Sequence, residues 1–160
     1  MSQAVGYDSG AMIIRAAIRS DLGAILRLLR ELGDTTHTQS ANVRMSSAAV
    51  RAWTRMETDP DRTVLVAEQR GQIIVTLDLL VVANLTHDAQ PWAVVDNLVV
   101  DPLTRGRGIG RALMEDALDR ATRAGCYKVE LLSHESRHGA HRFYAALGFD
   151  NSAEGFRRYL

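Results

Sequence analysis

Cysteine is almost absent from this 160-residue chain: a single residue, Cys126, cannot close an internal disulfide. A reducing, cytoplasmic compartment is the expectation, and the opening "MSQAVGYDSGA" lacks the apolar core of a secretory signal peptide. No apolar run approaches the roughly 20 residues that a membrane-spanning helix needs. Neither sign of charge is in excess, with 19 basic and 19 acidic residues, which argues against a general nucleic-acid or membrane-surface role built on a basic surplus. Internal repeats, linkers and low-complexity segments are missing too. A chain of this length suits one full-sized core, so a single domain over 12–160 is expected, preceded by a mobile tail over 1–11. The sequon Asn84-Leu85-Thr86 has little meaning without a secretory signal.

What is present reads as alternating strands and helices. "MIIRAAI" from Met12 suits a short strand, and Ser20-Asp21 offers a cap to a helix whose apolar face is Leu22, Ile25, Leu26, Leu29 and Leu32. Gly33-Asp34 stops it, and a polar loop leads to a second helix around Ser46 to Met56. "TVLVAEQ" and "QIIVTLDLLVVA" flank Arg70-Gly71, the pattern of an antiparallel hairpin. "WAVVDNLVVD" is a further strand. A helix from Gly108 buries Ile109, Ala112, Leu113, Ala117 and Ala121 and ends at Gly125. "YKVELLS", a helix from about Arg137 to Ala146 and a terminal strand near "FRRYL" complete the order β-α-α-β-β-β-α-β-α-β. That order describes an α/β protein of the α+β kind, a mixed sheet with helices on its faces.

The densest chemical signal is Arg105-Gly106-Arg107-Gly108-Ile109-Gly110-Arg111, where a strand gives way to a helix. The first backbone N–H groups of a helix have no internal partner. Glycine lets an anion approach them, the helix dipole adds partial positive charge, and Arg105, Arg107 and Arg111 can add charge-assisted bonds. A pyrophosphate fits that description. A dinucleotide fingerprint beginning at Gly106 fails because position 111 is arginine, and a P-loop fails because no Gly-Lys-Ser/Thr follows. The plainer alternative is a glycine turn carrying solvated arginines.

Arg105-x-x-Gly108-x-Gly110 resembles the acyl-coenzyme A signature of the GCN5-related N-acetyltransferases (GNAT). The preceding "AVVDNLVVDP" and the later "AHRFYAALGF" are similar to two further blocks of that family, and "IIRAAIRSDLGAILRLLRELG" is similar to its first strand and helix. The segment from Asp34 to about Arg62 is unmatched. The resemblance implies a central, mostly antiparallel sheet in which one parallel strand pair splays apart, here the strands holding Leu98 and Leu131.

It also implies roles residue by residue. Backbone groups of Leu98, Val99 and Val100 would pair with the pantetheine arm of acetyl-coenzyme A, and those from Gly106, Arg107, Gly108, Ile109, Gly110 and Arg111 would cradle its pyrophosphate beside Arg105. Phe143 joins the coenzyme-binding set. Arg137 stands where many relatives have an asparagine against the pantetheine. Asp96 occupies the position of a frequent glutamate and is either the base that takes a proton from the amine, a contact to the substrate cation, or a cross-strand partner. A carboxyl of pKa about 3.9 needs burial or a bridging water to act as a base. Tyr144, with a phenol of pKa about 10, would protonate or hydrogen-bond the departing thiolate, or else simply pack with Phe143 and Phe149.

His134, His138 and His141 are spaced like zinc ligands, but no cysteine or clear carboxylate joins them and acetyl transfer needs no metal. The implied activity is acetyl transfer from acetyl-coenzyme A to a primary amine, of a small molecule such as an amino sugar or aminoalkylphosphonate, or of a protein or peptide. The acceptor is expected to enter between the loop "GDTTHTQSANVR" and "ANLTHDAQPW", where Glu31, Asp34 and Asp88 favour an amine by charge. A non-catalytic acyl-coenzyme A sensor and an interaction module are the readings from other classes, and a homodimer is common among relatives.

Overall fold

The strands are assembled around one tight turn. β2 (Arg62–Gln69) and β3 (Gln72–Val82) are joined by Arg70 and Gly71 alone, at φ 53° and 72°. Two left-handed residues in succession give the twist that lets one strand fold straight back on the other. β4 (Trp92–Val100) lies antiparallel to β3, β1 (Met12–Ala16) antiparallel to β2, and β5 (Val129–Leu131) parallel to β4. The spatial order is β1-β2-β3-β4-β5, a mixed sheet with one parallel pair at its edge. The computed structural model describes residues 11–32, 44–156 and 158.

Helices cover both faces. α3 (Ile109–Arg123) lays Leu113, Met114 and Ala117, all fully buried, on Leu65, Leu77 and Val95. α1 (Leu22–Leu29) and α2 (Ser47–Glu57) cover the other face, where Leu28 and Trp53 meet Val64, Val66 and Val99. α1 is turned slightly from its expected orientation. Leu22, Ile25 and Leu28, three residues apart, are its buried row, while Leu26, Leu29 and Leu32 are only partly buried. After eight residues the helix tightens into a 3-10 turn over Arg30–Leu32. On α3, likewise, Met114 lies deeper than Ala112.

Ser46 caps α2 as its position suggests, accepting from the Ala49 N–H at 3.1 Å. Asp21, expected as a cap, does something else. Its carboxylate accepts from the Ile18 N–H at 2.8 Å and takes a two-pronged contact from Arg15 at 2.6 and 3.0 Å, while Arg15 also reaches Glu68 at 2.8 Å. The Arg15 guanidinium, aided by that N–H, holds the Asp21 carboxyl below its ordinary value, against the effect of burial. The side chain thus ties the end of β1 to the start of α1.

Gly125, at φ 77°, ends α3, with Cys126 N–H returning to the Ala121 carbonyl and Gly125 N–H to Thr122. β5 is shorter than the "YKVELLS" run. The expected terminal strand is not formed by Phe156 or Arg158, while Arg157, Tyr159 and Leu160 lie outside the described residues, as do residues 1–10 and Gly33-Asp34 with most of the following loop. Among the described residues no helix is long and apolar enough to cross a membrane.

Candidate active site

The site begins with an irregularity in β4. Thr76 faces Val99 and Asp78 faces Asp96, so Leu77 alone on β3 is matched by both Asn97 and Leu98 on β4. That extra residue is a β-bulge, with Asn97 at φ 54°, a conformation asparagine tolerates better than most side chains. Asn97 is pinned twice, its N–H donating to Asp96 Oδ1 at 2.8 Å and its side-chain amide to Asp78 Oδ2 at 3.1 Å.

Just before the bulge, β4 loses its outer neighbour. Pairing with β5 ends at Val95 and Leu131. Beyond that point the parallel strands bound a cleft of about 200 Å³, lined by Asp96, Leu98, Leu132, Arg137 and Tyr144 among others. The edge of β4 facing it has no strand partner among the described residues from Asp96 onward. Such an edge offers main-chain groups to an extended ligand.

α4 (His138–Ala145) delivers Tyr144 into the cleft. The ring is held edge-on by Phe143 and Phe149, with centroids 5.3 and 5.9 Å away. Burial pushes the phenol above its ordinary value; the Arg137 charge opposes that shift and the Asp96 charge adds to it. Tyr144 therefore stays protonated at neutral pH. Asp96 is exposed in the cleft, one oxygen engaged by the Asn97 N–H. Arg137, at the head of α4, donates to the Leu32 carbonyl at 2.9 Å and so joins α4 to the end of the α1 arm.

At the far end of β4 stands the start of α3. Its first internal bond runs from Ala112 N–H to Gly108 O at 3.0 Å, so the N–H groups of Ile109, Gly110 and Arg111 precede the helical ladder, and no acceptor meets them among the described residues. The glycines before them serve two different needs. Gly106 and Gly108 have φ 77° and 76° with open space where a side chain would point. Gly110 is helical, but an added Cβ would lie 2.9 Å from Val100 Cγ2. It is glycine so that α3 can press against β4.

The arginines also divide. Arg105 Nε donates to the Val100 carbonyl at 3.2 Å. Arg111 is spent on the Ala146 carbonyl at 2.8 Å and on Glu115 at 3.3 Å, bracing α3 against α4. Arg107 is exposed and makes no bond to the described residues. Asp101, held below its ordinary value by the Arg27 guanidinium and the Leu103 N–H, caps the short turn Pro102–Thr104 that sets the height of this loop.

Of the residues singled out from sequence, Asp96, Leu98, Arg137 and Tyr144 share the cleft. Val99 points its side chain into the α1–α2 face and Val100 into the α3 face, leaving only their backbone for a ligand. Phe143 packs behind Tyr144 and beside Gly110. His134 lines the cleft, and His141 Nε2 meets the His134 carbonyl at 3.0 Å, so these two rings do not converge as a ligand pair. The segment 83–92, expected at the acceptor entrance, sits at the end where β4 and β5 are paired. His87 stacks on Tyr127 at 4.0 Å and Tyr127 N–H binds the Pro91 carbonyl. Sequence reading missed Asn97 and Asp78. The signal for Asp78 was a single acid inside an otherwise apolar strand, where burying a charge demands partners.

The acetyltransferase (GNAT) family model matches residues 26–149. A glucosamine 6-phosphate N-acetyltransferase of Trypanosoma brucei brucei is 30% identical over 85% of this chain and 87% of its own length. A thialysine N-epsilon-acetyltransferase of Bos taurus is 31% identical over 89% and 86%. A solved chain from Agrobacterium tumefaciens str. C58, itself only provisionally assigned as an acetyltransferase, superposes with TM-score 0.81 at 33% identity, covering 92% of this chain and 99% of that one.

Proposed function

This chain belongs to the acetyltransferase (GNAT) family, and from that membership we propose that it transfers the acetyl group of acetyl-coenzyme A to the primary amine of a small molecule, by direct attack within a ternary complex. The pantetheine arm runs along the free edge of β4 at Leu98, Val99 and Val100, as an added strand would. The pyrophosphate rests on the N–H groups of Ile109, Gly110 and Arg111, where the helix dipole and Arg105 and Arg107 favour negative charge. Gly106 and Gly108 leave the approach clear.

In the reaction the amine nitrogen, as its neutral base, bonds to the acetyl carbon and the carbon–sulfur bond breaks. Asp96, directly or through a water, receives the proton lost from the amine. A backbone N–H of Leu98 or Val99 stabilises the tetrahedral oxyanion. Tyr144, protonated and with its hydroxyl free of protein partners among the described residues, donates its proton to the departing thiolate.

One observation carries this reading: the unpaired edge of β4 leads from a cleft holding a protonated tyrosine to a helix start with three unpartnered N–H groups. Free-thiol release from acetyl-coenzyme A, measured across small amines and lysine or N-terminal peptides, tests it. Turnover on a small amine should fall by about tenfold or more in Tyr144→Phe. Coenzyme binding without turnover on any amine would favour a sensor, and turnover confined to peptides would move the acceptor class.

A further inference from the structure

Across β3 and β4, Asp78 and Asp96 are directly opposed, so their side chains emerge on the same side of the sheet, the one covered by α1 and α2. Asp96 opens into the reaction cleft, whereas Asp78 sits at the end of a second cavity of about 180 Å³. The walls of that cup are Leu22, Ile25, Leu29, Trp53 and Met56. Asn97 lines both cavities and is the wall they share.

The polar end of the cup is incompletely paired. Asp78 is only 7% exposed, and both of its described bonds, from Arg62 at 2.7 Å and from Asn97 at 3.1 Å, fall on Oδ2. Oδ1 has no donor among the described residues, and Arg62 Nε is buried without an acceptor. A carboxylate oxygen without a protein donor at the end of a cavity can accept a hydrogen bond from an occupant. At the end of the cup the Arg62 guanidinium faces the Asp78 carboxylate, and in the adjoining cleft Arg137 stands with Asp96. No other described residue of the cup is cationic.

We infer that the cup is the acceptor subsite, and that the preferred acceptor is a primary amine on a compact apolar body, a branched alkyl or phenylalkyl group, rather than a sugar phosphate. The apolar body lies against Trp53 and α1, and the ammonium group is received by Asp78 Oδ1 and Asp96, beside the opening between β4 and β5. A cavity of this size accommodates a single ring, since about 150 Å³ holds benzene. A phosphate in the cup would meet the Asp78 carboxylate, apolar walls and a guanidinium already paired to that carboxylate. The inference rests on the acetyl-transfer reading and adds the acceptor class to it.

Two measurements on the whole chain test it. Trp53, its ring fixed by a 2.6 Å bond from Nε1 to Glu57, becomes the sole tryptophan in Trp92→Phe, and its emission should shift saturably with phenethylamine or isoamylamine but not with glucosamine 6-phosphate. In turnover, kcat/KM for the apolar amines should exceed that for glucosamine 6-phosphate by about tenfold or more. Ala49→Leu, which fills the cup from a helix position, should raise KM for the apolar amines about fivefold or more while KM for acetyl-coenzyme A and Tm hold. Asp78→Asn should raise the same KM, but it strands Arg62 and risks misfolding, so Ala49→Leu is the deciding variant. Silent emission with every amine, a preference for the sugar phosphate, or an unchanged KM in Ala49→Leu overturns the inference. Absence of thiol release from any amine would overturn acetyl transfer instead, and the emission titration would still decide whether the cup takes amines.

Discussion

The two halves of β4 meet opposite fates: the first, Trp-Ala-Val-Val, is wholly apolar, and the second opens with Asp96 and Asn97. From Ala93 to Val95 the strand is paired on both sides, to β3 and to β5, and its alternate residues Ala93 and Val95 are buried. From Asp96 to Val100 it keeps only β3, bulges at Asn97 and faces a cleft. The first half is a structural strand and the second an edge held open inside a sheet. Edges are ordinarily covered or blunted, because unpaired main-chain groups invite another strand. Here the edge ends at a helix start that is also unpaired. An extended ligand with an anionic end satisfies both deficits at once.

That contrast can be broken most severely at Gly110, where α3 presses on the open half. Gly110→Ala forces a Cβ to within 2.9 Å of Val100, and overpacking of this kind costs about 1–3 kcal/mol. Thermal unfolding should register that loss, and calorimetric titration should show acetyl-coenzyme A affinity falling by about tenfold. Adding Val100→Ala should restore most of both, because the clash is with one methyl group. A similar cost without rescue would mean that Gly110 serves the ligand rather than the packing.

The arginines sharpen the same comparison with smaller effects. Arg107→Ala should weaken coenzyme binding about fivefold, ~1 kcal/mol for an exposed charge-assisted contact, and leave Tm unchanged. Arg111→Ala should do the reverse, lowering Tm through its lost bonds to Ala146 and Glu115 while affecting affinity less. Titration calorimetry and thermal melts on both variants distinguish a ligand-facing cation from a brace.

How much of this was legible in the sequence differs between the two regions. The hairpin at Arg70-Gly71, the helix start at Gly108 and the stop at Gly125 are local events, written in residues whose backbone preferences act within a few positions, and they were readable. The Asn97 bulge was not, because it exists only as a mismatch between β4 and β3, a register that neither strand specifies alone. The role of Asp21 escaped for a related reason: its stronger partner, Arg15, lies on another element. Arg105, Arg107 and Arg111 look equivalent as letters, yet Arg111 turns to α4, which arrives some 30 residues later in the chain. The acceptor side was the least legible. Asp78, Arg62, Trp53 and Leu29 come from four elements, and no motif holds them together.

The most direct test of the central claim is amide hydrogen exchange with and without acetyl-coenzyme A, read residue by residue. Leu98–Val100 and Ile109–Arg111 should gain protection on binding, while Ala93–Val95, already paired on both sides, should not change. Binding that leaves Ile109–Arg111 exchanging as fast as before, or that protects both halves of β4 alike, would contradict the account.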